Sequence, residues 1–486
     1  MTNRRVILAA VLAVTLATAT TATAQTRLTL EQAIALATGH SEAVDIAHAG
    51  EARADAEQMR VRSLKLPQLS FAGTYSRTLA SEFSGAFDTS AAPTCAPLSV
   101  DASKPVADRL AELERAAACG AIGPSFSFGK LPFGQRNIYQ GALSFSQSVY
   151  TGGRQGAEAA QATLGRRAAG LVTTATEAQV TLDVTQAFYD AALSDRLVTI
   201  AESGYDQAAA AYAQVRLAFE AGRQPEFESL RAQVARDNQR PAVIRNRANR
   251  DIAYLRLRQL LELPADAPLA LAVDLDAPAL TAPAPFVDAV AAARAAGTMA
   301  DRAGVRQAET TLSLREAGVR IALAERRPSI GVTSAFSRVG YPSGGVFPGV
   351  GDFRSNWSLT ASLQMPILTG GRLKASELTA RANLSEAQAQ LKQARELAVL
   401  DSATALQDLN AAEATFEASA GTVEQAQRAY EIAALRNREG LSTQLELSDS
   451  RLSLQVAQAN RAQAARDVQV ARARVALLPN LPIAQR

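Results

Sequence analysis

Two cysteines and two histidines are all the thiol and imidazole metal ligands this 486-residue chain has. A structural zinc site needs about four such ligands close together, so a multi-His or Cys-rich metal centre is all but excluded. Aromatics are scarce at 5%, with a single Trp. A charge of one sign is missing too: 50 Lys+Arg face 47 Asp+Glu, a net charge of +3. Nucleic acid as a partner would call for a concentrated basic face, and none is present. There is no nucleophile motif, P-loop or dinucleotide fingerprint. An enzymatic reading therefore has no residues to rest on, and no cofactor is implied. What is abundant is alanine, roughly a fifth of the chain by count, the best helix former and small enough for close helix approach. The composition predicts long, closely packed helices.

Residues 1–24 read as a leader. Arg4 and Arg5 precede the apolar run Val6–Ala17, and Ala22-Thr23-Ala24 offers small residues for cleavage before Gln25. This is the layout of a secretory signal peptide. The apolar run falls short of the roughly 20 residues of a membrane anchor. Without the leader, 48 basic residues face 47 acidic ones. Beyond it no 18-residue apolar stretch occurs, so a mature chain that meets a membrane does so as strands.

The chain repeats itself. Thr151-Gly152-Gly153-Arg154 recurs as Thr369-Gly370-Gly371-Arg372, an offset of 218 in the numbering. Gly222 with Gly440 and Glu228 with Glu446 keep the same offset. A shared offset across separated features fixes an internal duplication. The halves are 25–263 and 286–486, joined by a Pro-rich connector at 264–285 and expected to pack as one domain.

Each half carries two segments of period two. Leu69, Phe71 and Tyr75 alternate with Ser70, Ala72, Thr74 and Ser76. Tyr139, Leu143, Phe145 and Val149 alternate with Gln140, Ser144, Ser146 and Ser148. Ile330, Val332 and Phe336, then Trp357, Leu359, Leu363 and Met365, behave the same way. Strands are expected near 68–77, 138–150, 329–338 and 356–366. One apolar face and one Ser/Thr/Gln face over about ten residues suits a membrane barrel strand. Four strands cannot close a barrel, and lipid does not tolerate open edges. Several chains must therefore close it, two giving eight strands and three giving twelve.

After each Thr-Gly-Gly-Arg, Pro disappears until the next marked glycine, 69 positions from Gly153 to Gly222 and again from Gly371 to Gly440. A helix of that length reaches about 100 Å. Leu182, Ala187, Leu193, Leu197 and Ile200 form a sparse apolar stripe, the mark of coiled-coil-like packing on an Ala-rich seam. Further helix is expected over 226–262 and 444–478, with each glycine at the tip of a helical hairpin.

The Leu28-Thr29-Leu30-Glu31-Gln32-Ala33 opening and Leu66-Pro67-Gln68-Leu69-Ser70 entering a strand resemble the TolC family of outer-membrane efflux proteins. So do the paired strand-Gly-Gly-Arg-helix junctions at Gly152, Gly153, Gly370 and Gly371, the duplicated halves and the glycine-marked tips. The resemblance implies an α+β membrane protein, a homotrimer with a twelve-stranded outer-membrane barrel and an α-helical tunnel in the periplasm of a Gram-negative bacterium. It implies a periplasmic adaptor (membrane fusion) protein and an inner-membrane RND or ABC transporter as partners, with outer-membrane lipid around the barrel. Glu446 and Asp449, three apart on one helix face, match acidic residues that narrow the tunnel entrance, and Glu228 is their first-repeat counterpart. Leu441, Ser442 and Thr443 after Gly440 match the segment that meets the adaptor, and Gly222 with Arg223 marks the first tip. There Arg223-Gln224-Pro225 departs from the family's small apolar run, and Arg223 is a candidate charge partner for the acidic ring. Asn437 stands where the family has an aromatic gate residue. The competing reading is a periplasm-spanning coiled-coil envelope protein without transport.

Two features are this chain's own. The first strand pair spans 84 positions against 41 in the second, and the excess of 43 is expected as an insert in an extracellular loop. It holds Cys95 and Cys119, and an even count in an oxidising compartment predicts a disulfide, worth about 3 kcal/mol of loop order. His40 and His48 sit eight apart in what reads as one amino-terminal helix, a spacing that makes no metal pair.

Overall fold

The computed structural model describes residues 27–80, 96–118, 136–277, 279–296, 301–342 and 346–483. The leader and both cysteines lie outside them. In chain order the elements are α1 (Leu30–His40), α2 (Glu42–Ser63), β1 (Gln68–Arg77), α3 (Val106–Ala118), β2 (Asn137–Tyr150) and α4 (Arg154–Glu220), then α5 (Glu226–Asp237), α6 (Arg240–Leu260), α7 (Val287–Ala296) and α8 (Ala303–Ala324), and last β3 (Ser329–Gly340), β4 (Phe353–Gln364), α9 (Arg372–Arg438) and α10 (Gln444–Leu477).

The duplication is visible in the helix ends. Helices α4 and α9 are both 67 residues long, and they begin and end at equivalent positions of the two repeats. Each starts in a turn with two left-handed glycines, Gly152 (φ 65°) and Gly153 (φ 92°), or Gly370 (φ 57°) and Gly371 (φ 90°). Each turn closes on an N–H donated to the threonine carbonyl, Arg154 to Thr151 and Arg372 to Thr369, at 3.0 Å in both.

The repeats diverge after the tips. Residues 226–262 do not form one helix but two, broken at Asn238 and Gln239. Pro241 is the cause: it has no N–H to donate, and its ring opposes the carbonyl four residues back. Ala459 stands at the equivalent position of the second repeat, and α10 runs through it unbroken for 34 residues. The amino-terminal helix is likewise two. His40 ends α1, and Ser41 turns extended (ψ 122°) before α2.

The chain divides into two compact units, and each draws on both halves, so the repeats are not the packing units. The first unit comprises 1–58, 160–319 and 378–486. Its core joins Leu30 and Ala33 of α1 with Val184 and Phe188 of α4, Leu257 of α6, Leu409 of α9, and Val475 of α10. The expected stripe on α4 is largely buried, Leu182, Ala187, Leu193 and Ile200 among its members. The Pro-rich connector is irregular but packed. Leu28 makes an isolated parallel bridge to Leu271, and Leu269, Leu271, Val273 and Leu280 lie against the core. Thr29 then caps α1 in a reciprocal box. Its hydroxyl accepts from the Gln32 N–H, and the Gln32 side chain accepts from the Thr29 N–H.

The second unit, 59–159 and 320–377, holds one antiparallel sheet in the order β1-β2-β3-β4. Its register aligns Phe71, Leu143, Phe336 and Trp357 in one row across all four strands. The next row on that face is Leu69, Phe145, Ser334 and Leu359, and the Trp357 indole N–H donates to the Ser334 hydroxyl at 2.9 Å. One face is thus apolar and exposed, with Phe71 75%, Trp357 77% and Leu359 74% exposed. The opposite face includes the rows Gln68, Ser146, Thr333 and Thr360, and Ser70, Ser144, Ala335 and Ser358. A register shift between Ser148 and Tyr150 sets Tyr150, not Val149, opposite Ile330, because one extra residue turns the rest of the strand to the other face. β4 starts at Phe353 and ends at Gln364, so Met365 lies past it. The insert contains the helix α3, which the period-two and glycine signals do not foretell.

Candidate functional site at the hairpin tips

Both tips use the same backbone device. At the first, Gly222 (φ 72°) donates to the Phe219 carbonyl and Arg223 to that of Ala218, each at 2.8 Å. At the second, Gly440 (φ 72°) donates to Asn437 at 3.1 Å and Leu441 to Arg436 at 2.8 Å. This is the Schellman pattern, which satisfies the last carbonyls of a helix and needs a left-handed residue. Glycine supplies it without a Cβ penalty.

The side chains separate the two tips. The second is tied internally. Asn437 donates its amide to the Ser442 carbonyl at 3.1 Å and accepts from the Gln444 side chain at 3.1 Å. The Thr443 hydroxyl caps α10 by accepting from the Glu446 N–H at 3.3 Å. At the first tip Pro225 occupies the equivalent N-cap with no side-chain cap. From sequence, Asn437 signals only the loss of an aromatic contact. In the structure it is the residue that stitches the loop.

The three acidic residues are placed differently. Glu446, in the first turn of α10, is half exposed and pairs with Arg436 at 3.8 Å. The Arg436 guanidinium also donates to the Leu441 carbonyl at 3.4 Å. Asp449 has no ion pair among the described residues. Leu447 and Arg451, on the other side of α10, are buried. Glu228 lies in the first turn of α5 and donates its N–H to the Pro225 carbonyl. Within one chain Glu446 takes Arg436 as its charge partner. Arg223 is exposed, without an ion pair among the described residues. Arg436 lies four residues before Gly440, and that spacing from the tip was the available signal for it. The described residues contain no cluster able to hold a metal ion.

The junction glycines are far from equivalent. A Cβ on Gly152 would lie 2.6 Å from Arg327 Cβ and 2.9 Å from the Ala324 carbonyl oxygen. The Arg327 side chain also donates to the Gly152 carbonyl at 3.2 Å. Gly370 and Gly371 have open space around them.

Residues 298–480 match the outer membrane efflux protein family. No curated protein matches the chain by sequence. Solved structures of the same fold include the outer membrane protein VceC from Vibrio cholerae, at a TM-score of 0.70 and 17% identity over 93% of this chain and 96% of that one. The CmeC outer membrane channel of Campylobacter jejuni aligns at a TM-score of 0.69 and 14% identity, over 94% and 87%. The open state of the MtrE outer membrane channel of Neisseria gonorrhoeae aligns at 0.67 and 19%, over 93% and 89%. At these identities the likeness establishes the fold, that of the TolC-like channels. The family match and the fold support an outer-membrane efflux channel, with an outer-membrane location that extends into the periplasm. The outer membrane efflux protein family is one of ducts rather than enzymes. No described helix is long and apolar enough to cross a membrane.

Proposed function

We propose that the protein is the exit duct of a tripartite efflux pump or a type I secretion system. It is a passive conduit, energised by an inner-membrane RND or ABC transporter through a periplasmic adaptor. The observation that carries this reading is the sheet: one face of exposed Phe, Leu and Trp, one face of Ser, Thr and Gln, and, among the described residues, two unpaired edges at β1 and β4. An edge in hydrocarbon leaves backbone groups unsatisfied at several kcal/mol each. Three copies pair every edge in a barrel of twelve strands, with the polar faces lining the lumen. The 67-residue helices then supply about 100 Å of periplasmic reach.

In that assembly Glu446 and Asp449 contribute six carboxylates around the tunnel entrance, with Glu228 behind them on the first hairpin. Such a ring favours cations. The tips at Gly222–Arg223 and Gly440–Thr443 are the surfaces offered to the adaptor. The test is in-cell crosslinking through a Cys placed at Ser442, followed by mass spectrometry of the captured partners. An adaptor with a proton-driven pump assigns small-molecule efflux, and an adaptor with an ABC transporter assigns ATP-driven export. Recovery of neither, from a protein that purifies as a trimer, defeats the conduit reading in favour of a structural envelope role.

A further inference from the structure

Just above the second tip, α4, α9 and α10 line an open-sided cavity of about 220 Å³. Gln207 and Gln214 of α4, Tyr430, Asn437 and Arg438 of α9, and Arg451 of α10 provide its polar lining, and no Asp or Glu lines it. Arg451 is only 5% exposed. Its Nε is fully enclosed, and among the described residues it donates to nothing and the guanidinium has no ion pair. Arg438 adds a second positive charge, with a hydrogen bond to the Ala434 carbonyl at 3.4 Å.

A guanidinium cannot shed its proton to escape burial. An ion taken out of water without a counter-charge costs several kcal/mol. The nearby acids do not supply that charge. Glu446 is paired with Arg436. Asp449 lies two residues before Arg451, roughly 200° round the helix at 3.6 residues per turn, away from the buried side. The cavity also holds neutral donors. Burial raises the Tyr430 phenol above its usual value, so it keeps its proton. The Gln214 amide has no other partner among the described residues.

We propose that this cavity is a carboxylate-binding site centred on Arg451. The planar guanidinium fork matches a carboxylate in a bidentate fashion, and the volume suits a small mono- or dicarboxylate. Its occupant ties three helices together beside the tip, so occupancy couples to how firmly the tip is held. This goes beyond the duct reading and does not depend on it.

The test uses the full-length protein purified in detergent, titrated calorimetrically with acetate and with succinate at fixed ionic strength against chloride. The expected result is saturable binding of at least one of them, weakened tenfold or more by Arg451→Gln and unchanged by Arg436→Gln, which lies outside the cavity. Ala434→Leu fills the space while keeping both arginines, and it should abolish binding even if Arg451→Gln disturbs folding. A carboxylate side chain from a second copy is the other source of the same chemistry. It would give no free-anion binding, yet Arg451→Gln, but not Arg436→Gln, would loosen the oligomer in native mass spectrometry. No anion binding together with an unaltered oligomer in Arg451→Gln would overturn the proposal.

Discussion

Arg302 and Asp401 form a buried ion pair across 99 residues of sequence, Arg302 Nη1 lying 2.5 Å from Asp401 Oδ2 with the arginine fully enclosed. The same guanidinium donates from Nε to the Leu478 carbonyl at 3.0 Å. The second carboxylate oxygen of Asp401 accepts from Arg474 at 2.9 Å. One acid therefore joins the residue before α8, the middle of α9 and the end of α10. Removing it leaves a buried cation unpaired. Asp401→Asn should cost about 3–5 kcal/mol, read as a lower midpoint in thermal or denaturant unfolding. An unchanged midpoint would mean that the backbone carbonyl and solvent suffice for Arg302.

The junction glycines should separate in a paired substitution. Gly152→Ala and Gly370→Ala both meet the left-handed penalty of about 1–2 kcal/mol. Only Gly152 also faces Arg327 and the Ala324 carbonyl. Gly152→Ala is therefore the more destabilising of the two, and equal midpoints in the unfolding assay would contradict the close approach.

The alkaline limb of stability should be steep. Burial pushes the Tyr189 phenol up to about 12. Burial, and then its hydrogen bond to Asp195 at 2.5 Å, raises Tyr254. A folded value above the unfolded one, near 10, means that the stabilisation is complete below about pH 10 and is lost as pH rises through the folded values. Tyr254→Phe gives up a charge-assisted hydrogen bond worth about 1.5–3 kcal/mol at neutral pH and flattens the fall above about pH 10. Melting temperatures from neutral to strongly alkaline pH in the two proteins check both statements.

The sheet faces make a depth prediction. Leu359, central in β4 on the apolar face, should not tolerate Arg, at a cost of about 2–4 kcal/mol in lipid. Thr360→Arg, one residue on and facing the other way, should fold and alter ion selectivity instead. Folding yield into vesicles distinguishes them, and the reverse ranking would exchange the lipid and lumen faces.

At the entrance, Glu446→Ala combined with Asp449→Ala should raise conductance and weaken block by divalent cations in a planar bilayer. The exposed Glu446–Arg436 pair contributes about 0–1 kcal/mol, so stability should barely change. Unaltered conductance would assign both acids to the solvated surface.

The amino-acid sequence by itself determined the elements whose cause is local. Period-two alternation marks the four strands because side chains in a strand alternate by geometry. Gly152, Gly153, Gly222 and their second-repeat partners mark the helix ends because left-handed backbone selects glycine. Pro241 carries a local signal of the same kind: one proline divides α5 from α6 where Ala459 leaves α10 whole. What only the tertiary structure decided depends on residues far apart in the chain. The bulge at Ser148–Tyr150 is visible only against β3. That Arg436 meets Glu446, that Asn437 sews the second tip, and that Arg451 is buried against α4 and α9 depend on how the helices lie side by side. Helical periodicity tells which residues share a face, not which neighbour that face meets, because many Ala-rich registers satisfy the same stripe and only the packed chain selects one.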